Sequence, residues 1–165
     1  MDSQVTILNE VDIRMKLNRI AYQIVENHFS NKMIVLAGIQ KSGVVISKIL
    51  KKNIENISSL QVELVNIIIN KKKPTECELE KNFSPKNKHI IIVDDVSSSG
   101  RTITYAQKPF LNEVAASIQT MVLVDRKHKQ FPISPDYVGL QLSTTLQDKI
   151  TVLCEGDKAI AAYLD

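Results

Sequence analysis

Asp94 and Asp95 stand side by side, and Val96, Ser97, Ser98, Ser99, Gly100, Arg101 and Thr102 follow them directly. Paired carboxylates accept hydrogen bonds from a diol or face a hydrated cation. A run of small residues lets successive backbone N–H groups close around an anion. The hydroxyls of Ser99 and Thr102 can donate to phosphate oxygens. The two acids repel a bare phosphate, so the two halves of the segment must face different parts of one ligand. A ribose diol suits the acids, and a phosphate suits the loop. Acids, serines and a glycine also make ordinary turns that cap helices. The complete order, directly behind the apolar run 90–93, is far more specific than its parts.

A second loop, Gly38-Ile39-Gln40-Lys41-Ser42-Gly43, is bracketed by glycines and also follows an apolar run. Cys77 and Cys154 are isolated cysteines in no metal-ligand spacing and read as reduced structural thiols. His128 lies in a basic stretch with Lys127 and Lys129, where a surface role is as good a reading as a chemical one.

The elements that must carry these loops follow from periodicity. Ile13, Leu17, Ile20, Ala21, Ile24 and Val25 predict an amphipathic helix over 11–28. Residues 33–37 and 60–69 predict strands, with a helix over 44–54 between them. Residues 70–88 are polar, rich in lysine and contain Pro74 and Pro85, so they read as a loop excursion. Residues 89–93 predict the strand that delivers Asp94. A helix is expected from Ser99 through Ile103 and Ala106 towards Val114, kinked or shifted by Pro109. Residues 117–124, 137–140 and 150–153 predict further strands, with Tyr137 as packing. Strands alternating with helices imply an α/β fold with a mostly parallel central sheet flanked by helices. The whole chain, 1–165, reads as a single domain. Ligands of such sheets bind at the carboxyl ends of the strands, which puts both loops on one edge.

Bulk properties agree. The chain has 165 residues, 44% of them hydrophobic, which is enough for one core. The net charge of +3 is too small to imply nucleic acid by itself. Apolar runs are too short to cross a bilayer, and the first residues lack the basic-then-apolar order of a signal peptide. The expectation is a cytoplasmic protein with no membrane partner.

The Asp94 to Thr102 order resembles the ribose-phosphate signature of type I phosphoribosyltransferases. Within that superfamily, residues 122–139 are similar to the bifunctional pyrimidine-operon attenuator and uracil phosphoribosyltransferase family, through Val124-Asp125-Arg126, His128, Pro132-Ile133 and Asp136-Tyr137-Val138-Gly139. Ile7-Leu8-Asn9-Glu10, Ile13-Arg14 and residues 17–21 resemble its first helix. The resemblance implies transfer of the phosphoribosyl group from phosphoribosyl pyrophosphate to uracil, as in pyrimidine salvage. It gives Asp94 and Asp95 the ribose hydroxyls, Val96 to Thr102 the 5-phosphate, and Gln40, Lys41, Ser42 and Gly43 the pyrophosphate. Val124, Asp125 and Arg126 border the base, and Arg126 can also reach pyrophosphate. Mg²⁺ is implied as cofactor, held mainly through the substrate, and a homodimer or higher homo-oligomer as the assembly. A small hood and flap region complete the implied fold.

Three departures stand out. The family usually has an arginine where Ser42 stands. Its mobile flap, with a Tyr-Arg-Asp-Asp stretch, falls where Ile67-Ile68-Ile69-Asn70-Lys71-Lys72 stands here, so weaker closure over the substrate is expected. The first-helix positions associated with RNA contact are Asn18 and Tyr22, which argues against an RNA partner although Arg14 and Arg19 could touch phosphates.

Overall fold

The computed structural model describes residues 4–143 and 148–165. A six-stranded sheet in the order β4-β3-β2-β5-β6-β7 forms its centre. Its strands are β2 (Met33–Ile39), β3 (Gln61–Ile69), β4 (Cys77–Leu79), β5 (His89–Ser97), β6 (Ser117–Arg126) and β7 (Tyr137–Leu142). All neighbours pair in parallel except β3 with β4. A parallel sheet is covered on both faces, so its strands are apolar on both sides. In β5, Ile91 and Val93 join one core cluster, while Ile90 and Ile92 join the other.

Helices α1 (Glu10–Asn27) and α2 (Ser42–Ile57) cover the first face. Asn9 caps α1 in a reciprocal pair: its side-chain oxygen accepts from the Asp12 N–H at 2.9 Å, and Asp12 accepts from the Asn9 N–H at 3.0 Å. Such a box is worth about 1 kcal/mol. Ile13, Leu17, Ile20, Ala21 and Ile24 are the buried stripe of α1. The short helix α3 (Arg101–Ala106) and a 3-10 turn (Lys108–Phe110) cover the second face through Ile103, Ala106 and Phe110.

A second, three-stranded antiparallel sheet in the order β1-β9-β8 sits beside the first, made of β1 (Val5–Leu8), β8 (Ile150–Glu155) and β9 (Lys158–Leu164). It is the hood that the resemblance implied. No helix among the described residues is long and apolar enough to cross a membrane.

Several boundaries differ from the sequence reading. The first helix begins at Glu10, and Ile7 and Leu8 belong to β1 instead. β5 runs on past Val93 to Ser97, because its pairing with β6 continues through Asp94↔Val122, Val96↔Val124 and Ser97↔Asp125. The two acids are therefore strand residues and not loop residues. α3 starts at Arg101, after Gly100 at φ +84°, and stops at Ala106 well short of Val114. Pro109 sits in the 3-10 turn, where its missing N–H ends helical bonding. The 70–88 excursion carries β4, and residues 150–153 lie in the hood rather than the parallel sheet.

Candidate active site

β2 and β5 are adjacent and parallel, so the loops that leave their carboxyl ends are neighbours. Gly43 makes that closeness possible, since a Cβ there would stand 2.4 Å from the Val93 carbonyl oxygen. Above these loops lies a cleft of about 450 Å³. Its floor is the run from Asp94 to Ile103, with Ser42 at one side. Lys71, from the turn after β3, and Lys149, Ile150, Thr151 and Val152, from the hood, close it further.

Asp94 is buried and Asp95 is half-buried. Each carboxylate accepts a backbone N–H from the next residue: Asp95 N–H donates to Asp94 Oδ1 at 2.9 Å, and Val96 N–H donates to Asp95 Oδ1 at 2.7 Å. Burial holds the Asp94 carboxyl well above the ordinary carboxylate range, and the adjacent Asp95 charge adds to this while Lys71 opposes it. Ser97 Oγ is fully enclosed and has no hydrogen-bond partner among the described residues. A buried hydroxyl left in that state costs about 1–3 kcal/mol.

Past Ser97 the loop turns into α3, whose start has no side-chain cap on its helix-defining position. The Ser99 hydroxyl accepts from the Arg101 N–H at 3.2 Å. Gly100 has φ +84°, a left-handed conformation that costs other residues about 1–2 kcal/mol. A Cβ at Gly100 would meet Ile133 Cβ at 3.1 Å and the Phe131 carbonyl oxygen at 3.4 Å. Glycine is thus required by the backbone and by the 131–133 segment packed behind the loop.

In the second loop, Gln40 and Lys41 are exposed, Ser42 lines the cleft and Gly43 is buried against β5. The Gln40 N–H is taken by the Ile67 carbonyl at 3.1 Å. α2 starts without a side-chain cap, so the amides that follow Lys41 have no competing carboxylate or hydroxyl from the cap residue.

The β6 residues sit elsewhere. Val124 is fully buried in the core. The Asp125 carboxylate is buried and bound by the Lys129 ammonium at 2.5 Å. Arg126 lines a smaller hollow of about 240 Å³ with Ser98, Ser99 and residues 127–130. His128 is exposed, and Tyr137 is core.

Sequence reasoning missed the roof. Lys149, Thr151 and Val152 enter the cleft only through the fold. Cys154 of the same strand lies close by: burial raises its thiol pKa, a hydrogen bond with Ser42 opposes that, and the Asp95 charge adds to it, so this cysteine sits beside Ser42 and Asp95. The flap region is a tight turn. Asn70 N–H donates to the Glu76 carbonyl at 3.0 Å, the Asn70 side chain accepts from the Lys72 and Lys73 amides, and Lys108 Nζ donates to the Thr75 carbonyl at 2.9 Å.

Residues 3–155 match the family model described as the phosphoribosyl transferase domain. The chain belongs to the phosphoribosyl transferase family. It is 35% identical over 163 residues to the bifunctional protein PyrR of Clostridium novyi, covering 93% of this chain and 92% of that one. It is 33% identical over 164 residues to the protein of the same name from Bacillus pumilus, covering 92% and 91%. Among solved structures, the hypoxanthine phosphoribosyltransferase of Trypanosoma cruzi superposes with a TM-score of 0.79 at 18% identity, covering 94% of each chain. A hypoxanthine-guanine phosphoribosyltransferase of Bacillus anthracis gives 0.77 at 19% identity, covering 96% of each. At such identities the structural likeness speaks for the fold. In this fold the run from Asp94 to Thr102 lies on the floor of the cleft.

Proposed function

We propose that the cleft binds phosphoribosyl pyrophosphate and transfers its phosphoribosyl group to a nucleobase, uracil in the first place. The observation that carries this is the floor of the cleft: two adjacent acids lead directly into a glycine-turned loop with a buried hydroxyl that has no partner among the described residues. In this reading Asp94 and Asp95 receive the ribose hydroxyls. The loop from Val96 to Thr102 holds the 5-phosphate, and Lys41, Ser42 and Gly43 hold pyrophosphate through their amides.

In the reaction a ring nitrogen of the base bonds to the ribose anomeric carbon. The bond from that carbon to pyrophosphate breaks, and its electron pair leaves with pyrophosphate. The nitrogen gives up its proton. The anomeric carbon carries positive character on the way, so positioning and charge stabilisation do the work and no protein nucleophile is needed. Mg²⁺ would be held mainly through substrate oxygens, with Asp94 and Asp95 as the carboxylates on the cleft floor that suit a hydrated cation. When bound, it neutralises pyrophosphate charge. Lys71 and Lys149 add cations at the rim, where Ser42 replaces the family's arginine.

Formation of uridine monophosphate from uracil, phosphoribosyl pyrophosphate and Mg²⁺ tests the proposal, with calorimetric titration on the same sample. Turnover supports it. Failure to bind phosphoribosyl pyrophosphate overturns it. Binding without turnover on any base favours a second reading, a cytoplasmic nucleotide-sensing regulator. That reading draws support from the pinned 70–76 turn, which is tied by Asn70 and Lys108 instead of being free to close. RNA as its target is less well supported. Arg19 donates to the Val138 and Gly139 carbonyls at 3.0 Å each and so is occupied within the protein. Self-association belongs to the proposal as well: Val11, Met15 and Tyr22 of α1 and Phe29 just beyond it are exposed large apolar residues on one line. Sedimentation equilibrium checks it, and a monomer at micromolar concentration refutes it.

A further inference from the structure

β5 and β6 run in register to Ser97↔Asp125 and then part, one into the phosphate loop and the other into residues 127–131. The Lys129 side chain bridges the space between them. Lys129 Nζ donates to the Ser97 carbonyl at 3.3 Å, to Asp125 Oδ1 at 2.5 Å and to the Arg126 carbonyl. An ammonium has three N–H donors, and each has an acceptor here. The side chain is 15% exposed and its Asp125 partner 6%, so this is an enclosed ion pair and not a surface one. The same segment reaches the loop again through its backbone. The Gln130 and Phe131 N–H groups both donate to the Ser99 carbonyl at 3.0 Å.

These bonds fix carbonyls on the back of the phosphate loop. In a trans peptide the N–H points opposite to the C=O of the same plane. Holding the Ser97 and Ser99 carbonyls towards 127–131 therefore turns the Ser98 and Gly100 N–H groups away from that segment, to the side where the cleft lies. We infer that Lys129 is a positioning residue for the phosphate cradle: its ammonium locks the Ser97 peptide from behind and aims the following amide at the ligand. This rests on the reading of the cleft as a phosphoribosyl pyrophosphate site. It assigns Asp125 a role as the counter-ion that holds Lys129 in place.

Two ligands separate the possibilities: phosphoribosyl pyrophosphate, which uses the cradle and carries no base, and inorganic pyrophosphate, which uses the second loop, each titrated with Mg²⁺ by calorimetry. Lys129→Met should weaken phosphoribosyl pyrophosphate ~10–100-fold, as misplaced positioning groups do, and leave pyrophosphate unchanged. Because Lys129→Met strands a buried Asp125 charge, the double variant Lys129→Met with Asp125→Leu is measured beside it. The double variant should recover thermal stability and not affinity. Lys129→Arg, which keeps a buried cation with several donors, should recover at least part of the affinity. Unchanged phosphoribosyl pyrophosphate affinity in a folded single or double variant overturns the role of Lys129 while leaving the cleft reading intact. Equal losses for both ligands overturn it too, as a general structural effect. No binding to the native protein overturns the cleft reading and this inference together.

Discussion

The two ends of the central sheet treat buried polar groups in opposite ways. At the amino ends of β5, β6 and β7 every enclosed polar side chain named here is matched. Gln119 Oε1 accepts from His28 Nε2 at 2.8 Å and from the Tyr137 hydroxyl at 3.1 Å. Asn31 Nδ2 lies 2.8 Å from His28 Nδ1, Asn27 Nδ2 donates to the Tyr137 hydroxyl at 3.0 Å, and His89 Nδ1 meets Ser117 Oγ at 2.9 Å. At the carboxyl ends two acids share one small space and the Ser97 hydroxyl has no partner among the described residues. The first arrangement serves stability. The second crowds like charges and leaves a buried hydroxyl without a partner among the described residues, a local conflict that supports the proposed ligand site.

Substitutions should separate the two ends. The largest effect is expected from Asp94→Asn. Phosphoribosyl pyrophosphate affinity should fall by ~100-fold, the scale of losing a charged hydrogen-bond acceptor, while the melting temperature rises. The sign follows from the raised carboxyl pKa. The folded state binds its proton more tightly than the unfolded chain, so stability is full below the ordinary carboxylate value and is lost as pH rises through the folded value. The stability gain from Asp94→Asn should therefore grow with pH, and melting curves at mildly acidic and mildly alkaline pH check it. A melting temperature that falls would mean that the acid pair is a structural asset and the contrast is mistaken.

Gln119→Leu is the converse test. It leaves the Tyr137 hydroxyl and His28 short of an acceptor, for a loss of about 1–3 kcal/mol in urea unfolding. Ligand affinity should not change, because the residue lies at the far end of the sheet. Gly100→Ala should cost about 1–2 kcal/mol and also weaken the ligand, since the left-handed turn belongs to the site. It is the substitution expected to register on both scales. The smallest effect is a pH slope. Burial lowers the His28 pKa, with the hydrogen bond to Gln119 opposing and His89 adding to it. The unfolded chain therefore takes up the proton first, and stability should decline as pH falls below about 6.5, the ordinary histidine value. His28→Gln should flatten that decline, read from urea midpoints across the interval.

Much of the site end was legible in the sequence because its information is local. An apolar run with both faces buried, then acids, then small residues, can be read within fifteen positions. The hood was less legible. Three of the four β1 residues are exposed or half-exposed, and β9 holds Ala159, Ala161 and Ala162, so neither has the alternation that marks a strand. Asp125 illustrates a different gap. The resemblance gives it the base, yet its partner Lys129 is four residues on in irregular chain, where no helical rule announces the pair. Pairings made by loops are decided by packing, which a one-dimensional pattern does not carry.

The hood also ties the site to the order of synthesis. β1 pairs with β9, Val5 with Leu164 and Thr6 with Tyr163, so one of the earliest strands to leave the ribosome has to wait for one of the latest. The loop after β5 can be laid down long before that, but the cleft has no roof until residues 150–164 have emerged. A nascent chain halted anywhere in between would carry the Asp94 to Thr102 run on an open ledge.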